Sequence, residues 1–195
     1  IRHQVMWDRL ITIVEEQAQT LIRTGFSVST REAGDVSAGV FDLKGRMLAQ
    51  AVTGTPGHIN SMALSVKHFI DKFPLNTMAE GDIYITNDPW KGTGHLNDFV
   101  LTTPCFKNEK LVGLFSCTSH LTDIGGLGTG ADGTGWPVRF IWLNFQAKPP
   151  VLDPFGTKFD AFGASHNFGR DLTSPVLLCT IPAGAFFREN DHPGI

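Results

Sequence analysis

Two tetrapeptides share one pattern, His95-Leu96-Asn97-Asp98 and His120-Leu121-Thr122-Asp123, each placing an imidazole three residues before a carboxylate. Imidazole and carboxylate together, without a thiolate, suit a divalent ion such as Mn, Zn or Fe(II) that keeps one position open for water or substrate. A blander reading stands beside this one. Each Asp can instead cap a turn while its His lies half-buried against Trp90, and Asp123 suits a turn because Gly125-Gly126 follows.

The elements that would bring the two pairs together are readable from the spacing of apolar residues. Residues 98 to 106 and 111 to 119 form apolar, β-branched runs around Lys107-Asn108-Glu109-Lys110. With Asn108-Glu109 as the tip of a two-residue hairpin, partners sum to 217, so Asp98 faces Ser119 and Asn97 faces His120. Upstream, Val5, Met6, Leu10, Ile13, Val14, Ala18, Leu21 and Ile22 recur at helical spacing, which predicts a helix over 5–24 stopped by Gly25. A hairpin follows around Asp42-Leu43-Lys44-Gly45-Arg46. Then a second helix, capped by Asn60 or Ser61 and ended by Pro74, is expected to carry Met62, Val66 and Phe69. Asp82 to Thr86 reads as a strand and 90–97 as a Gly-rich loop. Residues 136 to 195 read as short strands and loops. The expected class is α+β: a mixed, mainly antiparallel sheet with flanking helices and Gly-rich active-site loops.

Other motifs carry less. Gly128-Thr129-Gly130-Ala131-Asp132-Gly133 formally fits a dinucleotide fingerprint, but no strand enters it and Trp136-Pro137 stands where a helix should open. No phosphate loop occurs in the chain, so nucleotide chemistry must come from elsewhere. Cys117 falls in mid-strand and reads as core rather than nucleophile. His58, just after Gly57, can orient a substrate or donate a supporting hydrogen bond, or simply meet solvent. His3, His68, His166 and His192 receive no role.

The chain has 195 residues, 42% hydrophobic and 18% charged, with a net charge of −3. That is enough apolar material for one or two domains and excludes a disordered chain. No Lys/Arg run could track a phosphate backbone, so nucleic acid is not an expected partner. Apolar runs are too short to span a bilayer. Cys105, Cys117 and Cys179 lack any Cys-x-x-Cys pair and fit reduced thiols in the cytoplasm. With a low charge and no initiator Met, the chain is expected to be part of a larger polypeptide or assembly.

An ordered series of motifs resembles the N-terminal part of the hydantoinase B/oxoprolinase family. It runs Arg31-Glu32-x-x-Asp35-x-Ser37, Phe41-Asp42-x-x-Gly45-Arg46, Gly57-His58-Ile59-x-Ser61-Met62, Gly81-Asp82, Asn87-Asp88-Pro89, Gly92-Thr93-x-His95-Leu96-x-Asp98 and His120-x-x-Asp123-Ile124-Gly125-Gly126. The resemblance covers about 5–126, which is taken as the ion-binding domain, with 127–195 a loop- and strand-rich segment. It implies a divalent metal (Mn, Zn or Fe) held by His95, Asp98 and His120, with Asp123 as ligand or outer partner and, with His58, as the catalytic pair. It also implies ATP bound by a hydantoinase A type partner subunit in a hetero-oligomer. The implied activity is ATP-dependent opening of a cyclic amide such as a hydantoin or 5-oxoproline. Carboxylation of a ketone by a related subunit is the alternative enzyme reading, and a non-catalytic scaffold the alternative outside catalysis.

Overall fold

A computed structural model describes residues 1–25, 27–122, 124, 141–144, 151–152 and 158–159, the last three segments as backbone. Its elements are α1 (Arg2–Thr24), α2 (Val28–Arg31), β1 (Val36–Phe41), β2 (Met47–Gln50), α3 (Pro56–Lys72), a 3-10 turn (Leu75–Thr77), β3 (Asp82–Thr86), β4 (Asp98–Lys107), β5 (Lys110–His120), β6 (Ile141–Asn144), β7 (Val151–Leu152) and β8 (Lys158–Phe159). Six strands form one sheet in the order β2-β1-β5-β4-β3-β6, and β7 pairs with β8 in a separate ribbon. The fold is α+β as expected, and every described pairing is antiparallel.

The sheet is covered on both faces, and alternation along the strands decides which side chain meets which helix. On one face Val14, Ala18 and Leu21 of α1 pack with Val36, Ala38, Ile83, Ile85, Phe99, Leu101 and Cys117. On the other, Met62, Val66 and Phe69 of α3 pack with Phe41, Tyr84, Val100 and Leu114. Double coverage explains why β1 and β3 are buried at every position. Cys105 and Cys117 are buried, as expected, while Cys179 lies outside the described residues. No described helix is long and apolar enough to cross a membrane.

Helix α1 ends at Gly25 as predicted, the glycine amide donating to the Leu21 carbonyl. Two expectations are corrected. Helix α3 begins at Pro56 rather than at Asn60 or Ser61, with Thr55 as its N-cap and proline at the first turn. Proline there loses nothing, because the first-turn amides have no intrahelical partner. The second correction concerns the β4–β5 register. The tip pairs Phe106 with Leu111 and Lys107 with Lys110, the predicted sum of 217, but a bulge between Cys105 and Phe106 shifts the rest of the ladder by one. Beyond it Cys105 pairs with Gly113, Phe99 with Ser119 and Asp98 with His120. The four-residue helix α2, which no periodicity announced, is capped by the Ser27 hydroxyl accepting from the Thr30 amide.

Glu15 ties α1 to the loop between β2 and α3. Its carboxylate accepts from the amides of Val52 and Thr53 at 2.8 and 3.0 Å and from the Thr53 hydroxyl at 2.5 Å. Partial burial alone would raise the Glu15 carboxyl, but the bonds from Thr53, Gln19 and Val52 outweigh it and hold the group below its usual range. A carboxyl depressed on folding adds stability above its ordinary value of 4.5 and loses that contribution as pH falls through the folded value. Glu15→Gln should therefore cost about 1 kcal/mol at pH 7. In denaturant melts the gap between variant and wild type should close on acidification below that value. At the hairpin tip Asn108 and Glu109 have φ of 51° and 63°. A left-handed Glu is disfavoured, so Glu109→Gly should raise stability by roughly 0.5–1 kcal/mol, read from the same melts.

Candidate functional site

Three neighbouring strands deliver the site. Val36 pairs with Ser119 on β1 and β5, so Asp35, immediately before β1, falls beside His120, whose amide donates to the Asp35 carbonyl at 3.3 Å. On the far side of β5 the bulge-shifted ladder sets His120 opposite Asp98. Directly opposed residues share a face with Cβ atoms roughly 5 Å apart. Asp35, His120 and Asp98 thus stand in a row, and Asp98 shares the α3 face with Val100. The first turn of α3 brings His58 to the same place.

Asp98 is the centre. Its side chain is completely buried, and His120 Nδ1 lies 2.7 Å from Oδ1. The other oxygen, Oδ2, has His58 Nε2 at 3.2 Å and His95 Nδ1 at 3.4 Å, and accepts from the Thr93 hydroxyl at 2.8 Å. Burial by itself would raise this carboxyl. The hydrogen bonds from His120, His58 and Thr93, with the charge of His58, outweigh burial and hold Asp98 well below the usual carboxylate range. A buried carboxylate so surrounded is an anion at every ordinary pH, ready to meet a cation.

Asp35 closes the other side. Its Oδ2 lies 4.0 Å from His120 Nδ1, and its Oδ1 lies 3.6 Å from His58 Nδ1 while accepting from the Thr55 hydroxyl at 2.7 Å. Two donor sets, His95 with Asp98 and His120, and Asp35 with His58 and Asp98, keep their atoms within 4.8 Å of one another. Ligands of one divalent ion at about 2.1 Å must lie within roughly 4.2 Å of each other, so either set needs only small side-chain adjustments. The residues present fit a divalent cation in number, hardness and spacing.

The backbone of His120 is fixed as firmly as its ring. Its carbonyl oxygen is approached by the hydroxyls of Ser27 and Ser29, both at 3.1 Å, and of Thr30 at 3.3 Å. Ordering this hydroxyl cluster is the task of α2. At the end of the hairpin Asn97 and Leu121 exchange two bonds, Leu121 N to Asn97 O at 2.8 Å and Asn97 Nδ2 to Leu121 O at 2.7 Å. The loop before the site is also built: Asn87 Nδ2 donates to the Leu96 carbonyl at 2.7 Å, and the amides of Lys91 and Gly92 donate to the Asp88 carbonyl.

Of the residues singled out from sequence, His58, His95, Asp98 and His120 converge. Asp123 and the segment Gly128–Gly133 lie outside the described residues. Trp90 is 93% exposed, so it provides no wall for His95. His58 is a buried helical residue, not a loop histidine. Asp35 was missed as a site residue. Its signal is the residue before an apolar run, which becomes informative only once β1 is known to pair with β5.

The model of the hydantoinase B/oxoprolinase family matches residues 1–134. A 5-oxoprolinase of Arabidopsis thaliana is 32% identical over 123 residues, 63% of this chain and 10% of that protein. The ATP-dependent caprolactamase of Pseudomonas jessenii superimposes with a TM-score of 0.72 at 25% identity, covering 94% of this chain and 32% of the other. An acetone carboxylase structure, determined free of nucleotide, superimposes with a TM-score of 0.59 at 22% identity over 70% of this chain and 19% of that one, a likeness of fold alone. The chain therefore spans between a tenth and a third of these proteins. With a match over more than half its length, it belongs to the hydantoinase B/oxoprolinase family.

Proposed function

We propose that this chain is the ion-holding part of the catalytic subunit of an ATP-dependent enzyme that opens a cyclic amide, of the hydantoin or 5-oxoproline class. The observation that carries the reading is the environment of Asp98: a fully buried carboxylate with three imidazole nitrogens within 3.4 Å. In this reading His95, Asp98 and His120 hold the ion, and Asp35 offers its Oδ2 from the His120 side. A bound divalent ion supplies polarisation of a carbonyl and lowers the pKa of a water molecule. The protein's own part is to keep Asp98 anionic, to fix the His120 ring through its carbonyl, and to present the site at the edge where His95 is 41% exposed. Asp123 is assigned as a catalytic residue, a ligand or outer partner of the ion, by the resemblance of its motif.

From the family resemblance, ATP is allotted to a partner subunit of the hydantoinase A type, within a hetero-oligomer in the cytoplasm. Two family relatives, the oxoprolinase and the caprolactamase, are named for lactams, and the second is named ATP-dependent. That favours amide opening over carboxylation of a ketone, for which the support is a likeness of fold.

Metal quantification on the purified chain should give a stoichiometric Mn, Zn or Fe signal. His95→Ala and His120→Ala should each weaken binding by about 100-fold or more. Metal-free protein with unchanged stability in both variants would favour the scaffold reading. In the complex with its ATP-handling partner, ATP turnover should depend on a cyclic amide and not on bicarbonate; bicarbonate dependence would reassign the subunit to ketone carboxylation.

A further inference from the structure

Each of the two carboxylates divides its oxygens between a front and a rear. Asp98 Oδ1 and Asp35 Oδ2 face His120 at 2.7 and 4.0 Å. Asp98 Oδ2 and Asp35 Oδ1 face His58 at 3.2 and 3.6 Å, and Asp98 Oδ2 also lies 3.4 Å from His95 Nδ1. Each rear oxygen is also held by a threonine hydroxyl, Thr93 on Asp98 and Thr55 on Asp35. The His58 side chain is only 8% exposed and stands behind both acids, while His95 lies on the open side.

Two details mark this rear wall as built for something other than stability. The Nδ1 atom of His58 is buried with no hydrogen-bond partner, since 3.6 Å to Asp35 is too long, and such an orphan is destabilising. Thr55 is the N-cap of α3, yet its side chain makes no capping bond and turns to Asp35 instead. Forgoing a Thr cap is likewise destabilising. Both departures serve the same carboxylate pair.

We propose that His58 is a positioning residue. Its imidazole is the spacer that holds the Asp35 and Asp98 carboxylates apart and turns their front oxygens toward His120 and the cation. Thr55 and Thr93 fix the rotation of each acid. His58 acts through the acids and touches neither ion nor substrate. The inference rests on the ion-binding reading above and adds the device that shapes the site.

Mn(II) titrations of the 195-residue chain, followed by electron paramagnetic resonance and metal quantification, test it. Wild type should bind one ion. His58→Gln, whose amide can still donate to Asp98, should bind within about threefold of wild type. His58→Ala should bind about tenfold or more weakly, with a changed zero-field splitting of the bound Mn(II). Thr55→Val, isosteric and in a loop, keeps the test open if His58→Ala does not fold: it should weaken binding while leaving one ion per chain. Wild-type affinity and spectrum in both His58→Ala and Thr55→Val would overturn the proposal. So would two ions in wild type falling to one in His58→Gln, which would make His58 a ligand. A wild-type chain that binds no ion would instead remove the ion-binding reading, and this inference with it.

Discussion

A carboxylate with no solvent exposure, Asp98, is the constraint from which the rest of the site follows. Removing an ionised carboxylate from water is costly unless donors replace the lost hydration. Here the replacement comes from three separate stretches of chain: His58 on α3, Thr93 and His95 in the loop before β4, and His120 at the end of β5. His58 and His120 reach Asp98 only through the fold, and the fold in turn has a buried negative charge at the junction of β4, β5 and α3.

Register converts that constraint into geometry. Asp98 and His120 share a face only because partners sum to 218 beyond the bulge; at 217 Asp98 would face Ser119, and His120 would point across to the other side of the sheet. The displaced residue is Val112, which lies between the partners of Cys105 and Phe106 and is 44% exposed. Gly113 next to it also has a packing reason, since a Cβ there would approach the Phe41 carbonyl to 2.9 Å. A site at one end of the hairpin thus depends on an irregularity near the other.

The same irregularity marks the limit of what the residues reveal unaided. The hairpin, its tip and the closeness of His95 and Asp98 to His120 were legible, because apolar alternation and a two-residue turn are local signals. The bulge was not, because an extra strand residue leaves the composition unchanged. The start of α3 was misplaced for a related reason: Thr55-Pro56-Gly57 reads as a loop, although Thr at N-cap and Pro at the first position open the helix. Moving that start back carries His58 from solvent into the core. Helix α2 is too short to show a period, and Asp35 depends on a strand pairing between residues more than seventy positions apart.

Exposure across the cluster gives the site a direction. Side-chain exposure rises from Asp98 through His58 at 8% and His120 at 12% to Asp35 at 30% and His95 at 41%. A molecule arriving from solvent meets His95 and Asp35 first, and His58 only after passing both acids. The rigid parts lie at the back, where hydroxyls of α2 hold the His120 carbonyl and threonines hold the rear oxygens of both acids. Such an order suits a centre whose charge is organised before its ligand arrives: the anionic groups are already fixed, so binding need not reorient them.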